Sequence, residues 1–337
     1  MSLLVIIPCL NEERHLPALL GALTGDPAAG SARIVVADGG STDGSLEIVR
    51  AHARRDPRIV LLANPARLQA AGVNLAVRTY GAEAEFFVRV DAHAAYPGDF
   101  LSRLLDAQRE SGADSVTVSM RARAEPGYCF QAGVAAAQNS VLGTGGSAHR
   151  QGGARRWVDH GHHALFRTAA FRGAGGYDED YGHNEDAELD ARLTQAGKRI
   201  LLAADIVIDY FPRTTARALW RQYFNFGAGR ARTARRHKQA LKLRQLAPAI
   251  VAPAAASALL APIWPPLSYL AAAPLALWLC GSLLYGATLG ARARNLCALS
   301  AGVAAMIMHL AWSLGFLTQL LAGRPSPAPS PAGGPSA

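Results

Sequence analysis

The chain has 337 residues, half of them hydrophobic, and 34 Lys and Arg against 25 Asp and Glu give a formal net charge of +9. Every acidic residue lies in 1–209, whereas residues 210–337 contain 13 Lys and Arg and no acidic residue. Because the charge is divided in this way, the positive net charge does not indicate a uniformly basic surface. The length allows one globular domain with an appended segment. The basic second part indicates nucleic acid or a membrane surface as partner. The four cysteines have no metal-ligand or disulfide-framework spacing, so we expect reduced thiols.

Short apolar runs alternate with helical stretches over the first 120 residues. Strands are predicted at 3–7, 33–37, 59–62, 86–90 and 115–119, and helices at 12–23, 45–54, 68–80 and 99–110. The strands are continuous and rich in β-branched residues, which is typical of a parallel sheet covered on both faces. Repeated alternation favours a doubly wound α/β domain, whose ligands bind beyond the carboxyl ends of the strands.

Polar residues follow the first two predicted strands. The first strand is followed by Pro8, Asn11 and Glu12, and the second by Asp38, Gly40, Ser41 and Asp43. Glycines there let the backbone approach a ligand closely, and Asp38 can accept a hydrogen bond from an NH donor such as a uracil ring. Ser41 and Asp43 could equally cap the following helix, and for Asp43 we favour the cap.

Asp91-Ala92-His93 follows the fourth predicted strand. A carboxylate and an imidazole one residue apart can hold a divalent cation, which neutralises the charge of a diphosphate. Taken alone, the triplet could be a solvated Asp and His at a strand end. Because polar groups also follow two other strands, we predict a metal site at Asp91 and His93.

The ordered combination of these motifs resembles family 2 glycosyltransferases of the GT-A fold. The motifs that carry the resemblance are 6–8, 11–12, 38–44, Asn64 with 71–74, 91–93, 175–179 and 183–189, within residues 3–230. Asp-Ala-His in place of Asp-x-Asp, and an apolar C-terminal region, are similar to bacterial exopolysaccharide β-glucosyltransferases of the succinoglycan-biosynthesis type. The resemblance implies a Rossmann-like, mostly parallel sheet with helices on both faces, which we assign to residues 1–212.

The resemblance also implies residue roles. Asp38 matches the aspartate that binds uracil, Asp91 the first acidic residue of the metal motif, and His93 its metal-binding second position. Asp186 matches the general base, which takes the proton of the acceptor hydroxyl in a direct, inverting displacement. On spacing alone, Asp186 could be a helix N-cap with Glu188 and Asp190 as solvated partners. The nucleotide-sugar contacts implied are Pro8, Asn11, Glu12, Asp38, Gly40, Ser41, Asn74 and Asp91.

The histidines in 159–163 have no partners at standard zinc spacing. Their place between the metal motif and the base matches a segment near the acceptor in the family. Acceptor or diphosphate contacts are therefore predicted for His162 and His163, with structural hydrogen bonding as the alternative. The same kind of contact is predicted for Glu185 and Gln222. The cofactor implied is Mn²⁺ or Mg²⁺, and an imidazole ligand suits Mn²⁺ better.

The C-terminal third is apolar, with uncharged stretches at 246–291 and 295–323. A spanning helix needs about 20 apolar residues, so we predict three transmembrane helices in 246–322, at 247–265, 267–289 and 297–321. Residues 213–245 form a basic amphipathic interfacial segment, and 323–337 a disordered Pro/Ser/Ala/Gly tail. The Lys and Arg excess places 213–245 in the cytoplasm. Buried core helices are the alternative for the apolar stretches.

These observations predict a multi-pass protein of the inner (plasma) membrane with a cytoplasmic catalytic domain. It would transfer a hexose, with glucose implied by the resemblance, from a UDP-sugar to a polyprenyl-diphosphate-linked oligosaccharide, alone or within a glycan-assembly complex. One alternative is transfer to polyprenyl phosphate, and another is a non-catalytic membrane-tethered scaffold that binds nucleotide sugars. Nucleic acid is not expected as a partner, because the basic residues adjoin membrane spans.

Overall fold

The structure, a computed structural model, describes residues 2–150, 152–238, 241, 243–259 and 265–322. These residues form two compact units. The first comprises 2–120 and 152–210, and the second comprises 121–150 and the described residues from 211 to 322. The segment 121–150 thus groups with the C-terminal helices, although it lies within the predicted domain 1–212. That domain boundary remains a prediction.

The first unit alternates strands and helices as the sequence predicts. Its strands are β1 (Leu3–Cys9), β2 (Arg33–Asp38), β3 (Ile59–Ala63), β4 (Phe86–Arg89), β5 (Ala94–Ala95), β6 (Ser115–Ala122), β7 (Arg156–Val158), β8 (His162–Arg167) and β9 (Ile200–Tyr210). Its helices are α1 (Leu16–Gly25), α2 (Ser45–Arg55), α3 (Gln69–Tyr80), α4 (Phe100–Ser111), α7 (Thr168–Gly173) and α8 (Glu185–Gln195), with a 3-10 turn at Pro27–Ser31. All five predicted strands are present.

The strands form one mixed sheet, ordered β3-β2-β1-β4-β8-β6-β9-β5, with β7 paired to β9. The four strands from β3 to β4 are parallel, whereas β8 runs antiparallel to β4 and β6. The register sets Cys9 beside Asp38 and Ile6 beside Arg89. The carboxyl ends of β2, β1 and β4 therefore lie at one edge of the sheet.

Both faces of the sheet are covered by apolar side chains. Along β4, Phe86 and Val88 pack in a cluster with residues of α1 and α4, whereas Phe87 packs on the other face with residues of α3, α7 and α8. The stacked rings of Phe87 and Phe166 lie 5.0 Å apart within the second cluster. Burial on both faces explains why the strand sequences are continuously apolar.

The second unit is helical. Its helices are α5 (Cys129–Gln138), α6 (Val141–Thr144), α9 (Ala216–Arg236), α10 (Leu243–Ala249), α11 (Val251–Leu259), α12 (Pro265–Ala293) and α13 (Ala301–Ala322), with 3-10 turns at Ala148–Arg150 and Leu296–Ser300. Helix α9 packs closely on α13: a Cβ on Gly227 would lie 2.1 Å from the carbonyl oxygen of Trp312, and one on Gly315 would lie 2.0 Å from that of Phe224. Glycine at both positions therefore permits backbone contact between the two helices.

Two stretches of the described residues are helical and apolar enough to cross a membrane, Ala272–Ala293 and Leu296–Ala322. They correspond to the second and third predicted spans. The first predicted span, 247–265, is occupied by the short helices α10 and α11 up to Leu259, and 260–264 lie outside the described residues. The predicted tail, 323–337, also lies outside them.

Two of the four cysteines are paired, which corrects the expectation of reduced thiols. Cys129 of α5 and Cys297 of the turn before α13 form a disulfide with their Cα atoms 4.8 Å apart. Cys9 and Cys280 are free. The pair is separated by 168 residues, so cysteine spacing carries no signal for it.

Candidate active site

Two loops at the ends of β1 and β2 are joined by hydrogen bonds. The backbone N–H of Asn11 donates to Ser41 Oγ at 2.9 Å, and that of Thr42 donates to Asn11 Oδ1 at 2.8 Å. The backbone N–H of Glu12 donates to Ser45 Oγ at 2.8 Å. The structure thus brings Asn11, Glu12 and Ser41 together, beside Pro8 near the end of β1.

Asp38 orders the glycine loop that follows β2. Its Oδ2 accepts hydrogen bonds from the backbone N–H groups of Gly40 at 2.8 Å and Ser41 at 3.0 Å, and its Oδ1 accepts one from the Ser41 hydroxyl at 2.5 Å. Gly40 has φ of +86°, a conformation that favours glycine. Asp38 thus has a structural role in ordering this loop. Its contact with uracil remains a prediction.

The neighbouring polar groups have local roles. Asp43 Oδ1 accepts a hydrogen bond from the N–H of Ser45, the first residue of α2, at 3.0 Å. The N-cap of α2 is Gly44 and no side chain caps this helix, so the predicted capping role of Asp43 is wrong. Burial, followed by the charge of Asp38, raises the pKa of the Cys9 thiol to about 12. Cys9 therefore stays protonated at neutral pH and is not a nucleophile.

Asp91 follows β4 and receives hydrogen bonds from two side chains. Gln69 Nε2 donates to its Oδ1 at 2.7 Å and Arg89 Nε to the same oxygen at 3.3 Å, while His162 Nε2 lies 3.7 Å from Oδ2. Burial alone would raise the pKa of Asp91, but Arg89, then His162 and His93, lower it to about 2. Asp91 is therefore an anion at neutral pH.

The second candidate metal ligand, His93, is paired with a carboxylate. Its Nδ1 lies 3.2 Å from Glu12 Oε1, and its side chain is 42% exposed. The described residues contain no group of three or more His, Cys, Asp or Glu side chains arranged to hold a metal ion. The donor set of Asp91 and His93 fits a cation that takes two protein ligands and completes its shell with phosphate oxygens.

Asp186 occupies the first turn of α8 and is half-buried. Its Oδ1 accepts a hydrogen bond from the N–H of Ala187 at 2.7 Å. The N-cap is Asn184, and both Glu188 and Asp190 are buried, so the alternative of Asp186 as an N-cap with solvated partners is wrong. Near a helix N-terminus, the dipole favours the ionised carboxylate.

The histidines before and at the start of β8 contact two acidic residues, Asp190 of α8 and Asp91 after β4. His160 Nδ1 lies 2.6 Å from Oδ2 of Asp190, which is 1% exposed, and His162 faces Asp91. His160 therefore has a structural contact, and the predicted acceptor or diphosphate contact of His162 remains a prediction. His163 lies in β8, and its side chain is outside the described part of the chain.

Two other predicted contacts lie elsewhere. Asn74, 7% exposed, donates from Nδ2 to the Tyr177 carbonyl at 2.8 Å and to Glu179 Oε1 at 2.9 Å, and its Oδ1 accepts the Tyr177 N–H at 2.9 Å. Its amide therefore holds the loop before α8. Gln222 lies on α9 in the second unit, so its contact with an acceptor remains a prediction.

Arg89 is a site residue that the sequence interpretation did not identify. Its Nη1 donates to Glu185 Oε1 at 3.0 Å and to the Tyr177 hydroxyl at 3.1 Å, in addition to the contact of Nε with Asp91. The signal available was a charged residue within the apolar run 86–90, because an arginine in a buried strand needs anionic partners.

The chain is similar to several known proteins. The model of the family described as "Glycosyl transferase family 2" matches residues 4–173. Over 321 residues the chain is 47% identical to succinoglycan biosynthesis protein ExoA of Rhizobium meliloti (strain 1021), covering 95% of each chain. It is 33% identical over 123 residues to undecaprenyl-phosphate 4-deoxy-4-formamido-L-arabinose transferase of Aeromonas hydrophila subsp. hydrophila, covering 35% of this chain and 37% of that protein.

Two solved structures share the fold. The mannosyltransferase PcManGT of Pyrobaculum calidifontis, in complex with GDP-Man and Mn²⁺, has a TM-score of 0.58 at 18% identity, covering 96% of this chain and 88% of that one. S. aureus TarS 1-349 in complex with UDP-GlcNAc has a TM-score of 0.50 at 17% identity, covering 94% and 92%. The GT-A fold implied by the sequence motifs is confirmed. Together with the match to the family model, the 47% identity over nearly the whole chain establishes that this protein belongs to glycosyl transferase family 2.

Proposed function

We propose that this protein transfers a hexose, with glucose as the first candidate, from a UDP-sugar to a polyprenyl-diphosphate-linked oligosaccharide of an exopolysaccharide or similar glycan. The observation that carries the proposal is the run of contacts from Asp91 through Arg89 to Glu185, the neighbour of Asp186. These contacts support a single site in which Asp91 is the carboxylate on the side of the donor and Asp186 is the base. The 47% identity to a succinoglycan biosynthesis protein supports the class of product.

Asp186 would act as the general base. The acceptor hydroxyl gives its proton to the Asp186 carboxylate as its oxygen bonds to the anomeric carbon, and the bond from that carbon to the UDP oxygen breaks. The attack occurs opposite the leaving group, so an α-linked donor gives a β-glycoside. The position of Asp186 in the first turn of α8 supports this role, because the helix dipole favours the anionic form that accepts a proton.

The donor would bind across the ends of β1, β2 and β4. The loops at Asn11 and Gly40 would receive the nucleoside, and Asp91 with His93 would hold Mn²⁺ or Mg²⁺. When bound, such a cation neutralises charge on the diphosphate and assists departure of UDP. The nucleotide and Mn²⁺ in complexes of proteins with this fold support the assignment.

The acceptor would arrive from a membrane. The apolar helices α12 and α13 support attachment to the inner (plasma) membrane, and the Lys and Arg excess after residue 212 supports a cytoplasmic site. We infer a multi-pass topology in which the basic helix α9 lies near the headgroups, with Gln222 available to the acceptor.

Product analysis tests the proposal. Membranes containing the full chain are incubated with labelled UDP-sugars, Mn²⁺ or Mg²⁺, and a polyprenyl-diphosphate-linked oligosaccharide. Asp186→Asn should lower transfer by about 10²–10⁴-fold, the usual range for a general base, and leave UDP binding intact. Asp180→Asn, an exposed carboxylate of the preceding loop, is the matched control and should stay active. Normal turnover of Asp186→Asn would refute the base assignment.

A second acceptor is supported by one relative. The 33% identity over 123 residues to an undecaprenyl-phosphate sugar transferase favours polyprenyl phosphate as the alternative. Supplying polyprenyl phosphate alone in the same assay distinguishes the two, because a labelled monosaccharide lipid forms only if it is the acceptor. A non-catalytic nucleotide-sugar scaffold would bind UDP and form neither product.

A further inference from the structure

Arg89 places a permanent positive charge inside the first unit. It is the last residue of β4, the other three residues of that strand are buried, and Arg89 itself is 7% exposed. A guanidinium does not lose its proton in a protein, so this charge requires anionic partners within reach.

The guanidinium contacts two different elements. On the strand side, Nε lies 3.3 Å from Asp91 Oδ1, just beyond the end of β4. On the helix side, Nη1 lies 3.0 Å from Oε1 of Glu185, the first residue of α8. The Tyr177 hydroxyl, 3.1 Å from Nη1, accepts a further hydrogen bond. The guanidinium of Arg89 thus links Asp91 to Glu185 at the start of α8.

Glu185 transmits this contact to Asp186. Glu185 is 7% exposed, so it faces Arg89 rather than solvent, and Asp186 is the next residue of the same helical turn. The preceding residue, Asn184, has φ of +63°, an uncommon conformation for a residue other than glycine. The direction in which the Asp186 side chain points from the helix therefore depends on how Arg89 holds Glu185.

We propose that Arg89 is a positioning residue that fixes Asp186 relative to Asp91, and so sets the base at the correct distance from the bound donor. This inference rests on the proposed function, which assigns the base to Asp186. A lysine keeps the charge but has a single compact ammonium, whereas the planar guanidinium presents separate N–H groups to the two carboxylates. Arg89→Lys is therefore the diagnostic substitution.

The test separates positioning from stability and from donor binding. For Arg89→Lys we expect about a 100-fold loss of kcat at saturating substrates, the effect typical of a misplaced catalytic group. UDP affinity, measured by calorimetry without acceptor, should change by no more than about threefold, because a positioning defect lowers kcat rather than ground-state binding. Arg58→Lys is the matched control: Arg58 contacts Asp56 at 2.6 Å and the carbonyl of Ala29 in the same unit. It should lose less thermal stability, because the Arg58 side chain is 29% exposed, and keep a normal kcat.

A second variant covers the case in which Arg89→Lys does not fold. Glu185→Gln keeps the shape of the side chain and removes the charge that Arg89 contacts, and it should also lose kcat while binding UDP. Normal kcat in either folded variant would overturn the proposal, as would a loss of kcat matched by an equal loss of UDP affinity. If Asp186→Asn is active, the base assignment fails instead, whatever the result for Arg89→Lys.

Discussion

Substitution of Asn74 by alanine distinguishes two roles for a residue that the family motifs associate with the nucleotide sugar. In the structure its amide pairs with both the N–H and the carbonyl of Tyr177, at 2.9 and 2.8 Å. Tyr177 is 2% exposed, so water cannot replace either partner without opening the loop. The alanine variant would therefore leave two buried backbone groups unpaired.

The expected cost follows from those two groups. An unpaired buried donor or acceptor costs about 1–3 kcal/mol, so the loss of both lowers the free energy of unfolding by roughly 2–6 kcal/mol. For a unit of this size, 1 kcal/mol corresponds to roughly 2–4 °C, and the midpoint of thermal unfolding should fall by about 4–24 °C. Arg78→Ala is the control, because Arg78 contacts Glu179 at 3.4 Å with both side chains exposed. That exposed pair contributes at most about 1 kcal/mol.

Thermal unfolding and UDP calorimetry on the full chain give the two readouts. Asn74→Ala should unfold at a lower temperature and, below its midpoint, bind UDP with nearly unchanged affinity. Transfer should fall, because the Tyr177 loop also supports Arg89. An unchanged midpoint together with a large loss of UDP affinity would refute the structural role and identify Asn74 as a nucleotide contact.

Three further predictions concern charge and thiol chemistry. His93→Asp should keep transfer activity and shift the metal preference from Mn²⁺ toward Mg²⁺, measured as apparent metal affinity; an unchanged preference would remove His93 from the metal site. The pKa of Asp91, lowered from 3.8 to about 2, contributes stability above pH 3.8 that is lost as the pH falls toward 2. The unfolding free energy relative to Asp91→Asn should therefore shrink by about 2 kcal/mol in that window, and a difference independent of pH would contradict this. Maleimide added to the unfolded chain without reductant should label Cys9 and Cys280 only, and labels on all four cysteines would show that the disulfide is absent.

The sequence was sufficient for features set by local pattern. The continuous apolar runs located five strands, and the rule that ligands bind at the carboxyl ends of parallel strands located the residues around Asp38 and Asp91. The resemblance to a known family then identified Asp186 as the candidate base. In each case the information lies within a short stretch of chain or in the order of short motifs.

Features that depend on contacts between residues far apart in the chain could not be predicted from the sequence. Arg89 finds Glu185 across 96 residues and Tyr177 across 88, and no local pattern specifies those partners. The disulfide is separated by 168 residues. The antiparallel strand β8 begins with two histidines, and it has little of the apolar continuity that identified β1 to β4. The first of them, His162, lies 3.7 Å from Asp91.

The glycine contacts between α9 and α13 have a consequence for the proposed attachment of the protein to a membrane. Because Gly227 and Gly315 allow the two backbones to touch, α9 cannot tilt or slide independently of α13. Helix α9 carries six arginines, and Arg235 donates to the carbonyl of Leu320 near the end of α13. Each arginine drawn to the centre of a bilayer costs about 2.5–3.5 kcal/mol on insertion scales. If α13 crosses a membrane, as we propose, the arginines of α9 would limit how far it can enter the lipid.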